Sequence, residues 1–452
     1  MGKLFGTDGV RAQANCFPLD GTTVFSLGQA IAAATSGGQG FGCRVVVGRD
    51  TRRSGHMIQA ALAAGLASVG ANVYLGGVLP TPAVAFLTRT LGMTAGVSIS
   101  ASHNPYMDNG IKIFSRGGWK LSGEQENEVE RLVLEAGTAE LAVSPAAMGQ
   151  VLALPDAEAR YVEFVKSSFP RSLSMQGLRV VLDTANGAAY RVGPQVFSEL
   201  GAQVTVISAE PNGVNINAGC GSEHPAHLTD AVLEWGADIG LALDGDGDRL
   251  IAIDEKGHKL SGDHILLILA RALHGEGRLK NNLLVSTVMS NMGLRMACHK
   301  YGIGHYESAV GDRHVLEDVI RLGGNLGGEE SGHIVLLDYH TTGDGLLTAV
   351  QLITAMLKYQ QPLSELRRWM QIYPQRLINV PVFSKPPLDK IPGLPEAIAQ
   401  AQATLGDKGR VLVRYSGTEN VCRVMVEASE LSQAEKLATE LAQVIQSAVG
   451  RK

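Results

Sequence analysis

Two apolar periods alternate along this chain. Short runs of β-branched residues, at every position or every second one, predict strands; longer stretches with apolar residues three and four apart predict helices. The first segment, residues 3–11, is strand-like and then punctuated by glycine around Thr7-Asp8-Gly9. Helix 23–34, strand 43–48, helix 55–69 and strand 72–75 follow. Arg44-Val45-Val46-Val47 has no polar face, as expected of a strand covered by helices on both sides. Val97 and Ile99 alternate with Ser98 and Ser100, and Pro105 stops that strand by forcing Asn104 out of the helical region. Asp108-Asn109-Gly110 predicts a tight turn before a strand at 111–114, and Ser122 caps a helix to 136. Residues 137–155 are small, Ala-rich and Pro-interrupted, which predicts a linker. A second unit has helix 157–169, strand 179–183, helix 190–200, strand 204–207, a polar loop 211–225, a further helix and strand 238–243. A third has helix 264–273, strand 283–287, helix 293–301, a loop-strand pair at 327–337 and helix 345–359. After the break at Pro374 come a strand, a helix, two adjacent strands and helix 431–449. The three larger units share a βαβ rhythm, which predicts an α/β protein with related domains.

Length and composition narrow the class. A chain of 452 residues is too long for one core, and 45% hydrophobic against 18% charged residues excludes disorder. The formal net charge of -5 gives no global attraction to nucleic acid or an anionic membrane, so an anionic ligand must be held by local clusters. The five cysteines are scattered with no CxxC pair, which predicts buried reduced thiols in a cytoplasmic protein. Residues 57–88 carry no charge, but Gly70, Asn72, Gly76-Gly77, Pro80 and Pro82 break them into separate elements. No signal peptide and no membrane span are expected.

Chemistry concentrates in four loops. Ser102 sits at the tip of a loop beside His103, with Lys112 brought back towards it, an arrangement suited to a nucleophile or phosphoryl carrier. Asp244, Asp246 and Asp248 in DGDGDR follow a strand; in extended chain their carboxylates face one side and need a hard divalent cation. An EF-hand is excluded because Arg249 stands where that loop demands glycine and the flanks read as strands. Three carboxylates suit Mg²⁺, which keeps open positions for phosphate or water oxygens. Gly328–His333 (GEESGH) offers donors and acceptors for sugar hydroxyls. Arg414–Asn420 (RYSGTEN) lies between two strands, and its hydroxyls, backbone and guanidinium form an anion nest rather than a helix cap.

These four motifs, with FGTDGVR at Phe5–Arg11, closely resemble the α-D-phosphohexomutase superfamily over essentially the whole chain. NGVNINAGCGSEHP, AVGDRHV, TTGDGLLTA and RVMVE resemble its phosphoglucosamine mutase branch, whereas Glu330 is glucose-enzyme-like, leaving glucose or mannose phosphates as the alternative substrates. Ala12 and Asn420 also depart from the usual pattern, which has glycine and proline there. The resemblance implies a four-domain architecture, three related α/β domains with mixed sheets plus a smaller C-terminal α+β domain. The expected domains are residues 1–150 with the phosphoserine loop, 151–255 with the metal loop, 256–370 with the sugar loop and 371–452 with the phosphate loop. It implies one Mg²⁺ on Asp244, Asp246, Asp248 and phosphorylated Ser102, and a sugar bisphosphate as intermediate and activator. Arg11, His103, Lys112 and Arg249 would supply charge stabilisation and proton transfer. Glu329, Ser331 and His333 would hold the sugar, and Arg414, Ser416, Gly417 and Thr418 its non-reacting phosphate. Sugar phosphates are the implied partners, without nucleic acid or membrane, and a homodimer is compatible with the family. A phosphatase that lets water accept the phosphoryl group, or a non-enzymatic phosphosugar sensor, are the rival readings.

Overall fold

The computed structural model describes residues 4–6, 8–37, 42–416 and 420–450. It divides into two compact units, Met1–Met289 with Ile303–Trp369, and Ser290–Gly302 with Met370–Lys452. Among the described residues the first unit carries three sheets. In the first, Ala95–Ile99, Arg44–Arg49, Asn72–Val78 and Val151–Ala153 run parallel, and Asp108–Ser115 and Val10–Gln13 extend one edge antiparallel. In the second, Ile239–Leu243, Arg179–Asp183 and Gln203–Ile207 are parallel, and Leu250–Asp254 and Lys259–Leu260 close one edge antiparallel. The third repeats the plan with Gly304–Ser308, Leu283–Thr287 and Leu326–Gly328 parallel and Ile334–Leu336 antiparallel. All three sheets are therefore mixed, and each contains an antiparallel hairpin whose connection is one of the motif loops.

Burial explains why these runs form strands. Val45, Val47, Val97, Ile99, Ile111 and Ile113 pack with Leu27, Ile31, Leu62 and Leu66 of helices Gly21–Thr35 and Gly55–Ser68. Those helices cross closely because Gly28 and Gly65 face each other's backbone: a Cβ on Gly65 would lie 2.0 Å from the Phe25 carbonyl oxygen. Ser122 caps helix Gly123–Arg131 as expected, in a reciprocal capping box with Gln125.

In the second unit, Val421–Glu427 lies between Gln375–Pro381 and Arg410–Tyr415 in an antiparallel sheet covered by helices Leu394–Leu405 and Leu431–Val449. Helix Met292–Lys300 belongs to this unit: the buried Glu427 carboxylate accepts from Asn291 Nδ2 and Met292 N, at 3.0 and 3.1 Å, and from Arg410 Nε at 2.5 Å.

Several expectations need correction. Asp108-Asn109-Gly110 is strand, not turn, because Gln13, Ala12 and Arg11 pair with it; the first strand is accordingly Val10–Gln13 and not residues 3–11. Val151–Ala153, read as linker, pairs with Asn72–Val78. Strand Gly304–Ser308 and helix Asp312–Arg321 have no counterpart among the expected elements, both being too polar on one side to show a continuous apolar run. Cys16 is exposed, whereas Cys43, Cys220, Cys298 and Cys422 are buried; all five are free thiols. Among the described residues, no helix is long and apolar enough to cross a membrane.

Candidate active site

The site of the first unit is built from three hairpin connections. Ser102 follows strand Ala95–Ile99 and has φ +53, the left-handed region that a non-glycine residue occupies only under constraint. The constraint is visible: Ser102 N donates to Ser100 Oγ at 3.0 Å, and Ser100 Oγ donates to the buried Asp50 at 2.6 Å. Arg52, fully buried, pairs with Asp50 at 2.8 Å. Its terminal nitrogens donate to the carbonyl oxygens of Ser102 at 2.9 Å, Asn104 at 2.8 Å and Asp108 at 3.1 Å, and also to Pro105. One guanidinium thus gathers the carbonyls of the whole loop. Asn217 Nδ2 adds a further bond to the Ser102 carbonyl, 2.9 Å long.

The second connection brings the aspartates to the serine. Their ligand atoms lie within 4.8 Å of one another, and all three are buried, not lining an open surface as an extended acidic loop would. Ser102 Oγ donates to Asp244 Oδ2 at 2.5 Å. Thr81 Oγ1 and Lys112 Nζ donate to Asp246 Oδ2 at 2.6 and 2.9 Å, and Lys112 also reaches Asp248 Oδ2 at 3.0 Å. Asp246 Oδ1 and Asp248 Oδ1 are buried without a hydrogen-bond partner. Buried carboxylate oxygens are not left bare without cause, so this donor set fits a hard divalent cation shared with Ser102. Burial, and then Asp248 and Asp246, push the Asp244 carboxyl well above the usual range. Burial acts the same way on Asp248, but Lys112 and the His333 contact overcome it and hold that carboxyl well below the range.

The cations are ordered by Asp8, Lys120 and Asp312, whose roles no motif spacing marks out. Lys112 points at Asp246, Asp248 and Asp8 rather than at the serine itself. Arg11 is not free: it pairs with Asp8 at 2.6 Å, and Asp8 also takes Lys120 at 2.5 Å. Lys120 pairs in turn with Asp312. Asp8 and Asp312 stand inside FGTDGVR and AVGDRHV, so their motifs were visible although their roles were not. Burial and then Arg249 push His103 down to about 4, which leaves its ring neutral near pH 7, with Nδ1 3.3 Å from Ser102 Oγ.

The third connection supplies Glu329, Ser331 and His333. Leu250 N donates to the Gly332 carbonyl at 3.0 Å, which ties this loop to the metal loop. His333 lies between Asp248 and Asp312 at 3.7 and 3.8 Å; burial is the largest single influence and opposes its protonation, but Asp248 and Asp312 together raise its pKa. Glu329 Oε1 accepts from Gly311 N at 3.0 Å, Ser331 Oγ is buried without a partner, and Glu330 is exposed. Arg249 reaches Glu223 at 3.4 Å.

In the second unit the hairpin connection after Arg410–Tyr415 carries Ser416; Gly417 and Thr418 lie outside the described residues. Arg414 stands directly across the ladder from Arg423, and its Nε is buried without a partner. Like charges opposite each other on a ladder repel, and an anion between them removes the penalty. Lys385 Nζ donates to the Ser416 carbonyl at 2.7 Å and adds a third cation. Arg423 and Lys385 were not picked out from sequence.

Comparison with known proteins agrees with this geometry along the whole chain. Residues 2–140, 159–257 and 261–373 match alpha/beta/alpha domains I, II and III of the family described as phosphoglucomutase/phosphomannomutase, and residues 377–444 match its C-terminal domain. A phosphoglucosamine mutase of Syntrophobacter fumaroxidans is 54% identical over 450 residues, 100% of each chain. Among solved structures, a phosphoglucomutase/phosphomannomutase family protein of Burkholderia thailandensis superposes with TM-score 0.80 at 22% identity, covering 98% of this chain and 97% of that one. The N-acetylphosphoglucosamine mutase of Aspergillus fumigatus, solved with GlcNAc-6P and magnesium, does so with TM-score 0.70 at 18% identity, covering 99% and 96%.

Proposed function

The chain belongs to the phosphoglucosamine mutase family of phosphohexomutase isomerases, and on that premise we propose that it interconverts glucosamine 6-phosphate and glucosamine 1-phosphate through Ser102. The observation that carries the reading is Ser102 itself, held at φ +53 with its Oγ 2.5 Å from a buried aspartate triad that has two bare oxygens. In the forward direction phosphorylated Ser102 gives its phosphoryl group to the free sugar oxygen, whose proton leaves to a base. The bisphosphorylated sugar then reorients, and the Ser102 oxygen takes the phosphoryl group from the other end, regenerating the enzyme. Each half reaction breaks one P–O bond and forms one, so no phosphate is lost.

Asp244, Asp246, Asp248 and the Ser102 oxygen would hold Mg²⁺, which when bound supplies positive charge against the phosphoryl oxygens. Neutral His103 is placed to accept or return the proton of the Ser102 hydroxyl. Lys112, Arg11 and Arg249 fix the field around the transferring group without moving, and this preorganisation is the main source of catalysis in phosphoryl transfer. Glu329, Ser331 and His333 would bind sugar hydroxyls. Arg414, Ser416, Gly417 and Thr418 would hold the phosphate that is not reacting, with Arg423 beside them. The expected compartment is the cytoplasm.

Purified enzyme should carry phosphate on Ser102 by peptide mass mapping, and Ser102→Ala should lose nearly all turnover. In a competition at equal concentrations, glucosamine 6-phosphate should be used with higher kcat/KM than glucose 6-phosphate or mannose 6-phosphate. A preference for either of these would move the substrate within the family. Release of inorganic phosphate at the rate of turnover would replace the mutase with a phosphatase.

A further inference from the structure

A second cluster of cations lies on the other face of the segment that clamps the Ser102 loop. From Arg49 to Arg53 the side chains alternate. Asp50 and Arg52 turn to the loop, whereas Arg49, Thr51 and Arg53 line a separate cavity of ≈ 350 Å³ together with His56, Val78, Tyr190, Pro211, Asn212 and Gly213. No carboxylate lines it, and among the described residues the Asp50 carboxylate pairs directly with Arg52 rather than with Arg49 or Arg53. Arg49 Nε is buried without a hydrogen-bond partner. Arg49 Nη1 donates to the Asp50 carbonyl at 3.1 Å and the Asp50 carboxylate offsets part of its charge, yet Arg49 still holds the His56 imidazole below its ordinary pKa. Two guanidiniums on one cavity wall repel each other, and an anion between them relieves that repulsion.

The cavity walls are fixed by hydrogen bonds. Thr51 Oγ1 donates to the Asn186 carbonyl at 2.6 Å, and Arg53 N donates to the Gly213 carbonyl at 2.9 Å. Arg49 ends a parallel strand, and ligands of α/β sheets bind outside the carboxyl ends of such strands. Two guanidiniums suit the oxygens of a phosphate group, and Val78, Pro211 and the Tyr190 ring offer apolar surface beyond them.

We propose that this cavity is a phosphomonoester site, separate from the catalytic centre, in which Arg49 and Arg53 grip the phosphate and Tyr190 covers the organic part. The test is calorimetric titration of the dephosphorylated Arg414→Ala enzyme, in which the catalytic phosphate contact is weakened and no turnover occurs without a phosphorylated serine. Glycerol 3-phosphate and inorganic phosphate are the probes. One glycerol 3-phosphate should still bind per chain, and Arg49→Ala/Arg53→Ala should weaken it at least about tenfold, the loss of one charge-assisted contact. Should the double variant fold poorly, the exposed Arg53→Ala alone should show the loss while keeping the wild-type thermal midpoint and turnover. Absence of residual binding, or binding that these variants leave unchanged, overturns the site. Tighter binding of inorganic phosphate than of the ester overturns the assignment of its occupant. The readout is binding that depends on Arg49 and Arg53 and survives Arg414→Ala, so it stands apart from the question of which sugar the enzyme prefers.

Discussion

Arg52 shows how much of the placement of the proposed nucleophile lies in its neighbours. Ser102 was legible from sequence because a serine before His-Asn-Pro at the end of an alternating strand has few structural reasons to be there. Arg52 was not, because a buried arginine acting on backbone carbonyls leaves no pattern of spacing. Its removal strands Asp50 as a buried unpaired charge, so Arg52→Ala should cost about 3–5 kcal/mol, measured by urea denaturation. Arg52→Lys should recover part of this but not turnover, because one ammonium cannot span the loop's carbonyls. His340 offers a pH test at the same scale. Thr341 N donates to its Nδ1 at 2.7 Å, so Nε2 carries the proton that it donates to the Pro82 carbonyl at 2.9 Å. Burial pushes its pKa from 6.5 down to about 4, and the stability this neutral ring contributes is present above pH 6.5 and lost as pH falls towards 4. The loss reaches about 3 kcal/mol at the acid end. Asp344, raised to about 7 by burial, acts in the opposite sense, so the comparison of wild type with His340→Gln is the measurement; the variant should lose less stability between pH 7 and 5.

At the scale of elements, the apolar pattern located most strands and helices because parallel strands buried on both faces and amphipathic helices leave strong periods. It misplaced Asp108–Gly110, where turn-forming residues are overridden by pairing with Val10–Gln13, a tertiary fact that no local pattern carries. It did not show that helix Met292–Lys300 joins the C-terminal sheet, since only Glu427, distant in sequence, reveals that partner. The crossing of Gly21–Thr35 with Gly55–Ser68 gives a direct test. Gly65→Ala should destabilise by about 1–3 kcal/mol or more, as overpacking does, because the Phe25 backbone cannot yield easily. Gly123→Ala, with no atom near its new Cβ, should leave the thermal midpoint unchanged or slightly raised.

For the molecule as a whole, chemistry and folding rest on different groups. Within the protein the aspartate triad is paired with Lys112, Thr81 and Ser102, so chelation should abolish turnover while the thermal transition stays within a few degrees. In the second unit, Arg414→Ala should weaken sugar-phosphate affinity by about tenfold or more without lowering that unit's stability, because it also removes a like charge facing Arg423. The loops proposed to carry this chemistry join adjacent antiparallel strands: 100–107, 244–249, 329–333 and the connection between Arg410–Tyr415 and Val421–Glu427. The two ends of each are therefore pinned a few ångströms apart by the ladder beneath, whatever sequence lies between them. Each loop can be lengthened, shortened or rewritten in descent without disturbing its sheet, so a lineage can acquire a new sugar by altering one hairpin tip while inheriting the phosphoryl machinery of the others intact.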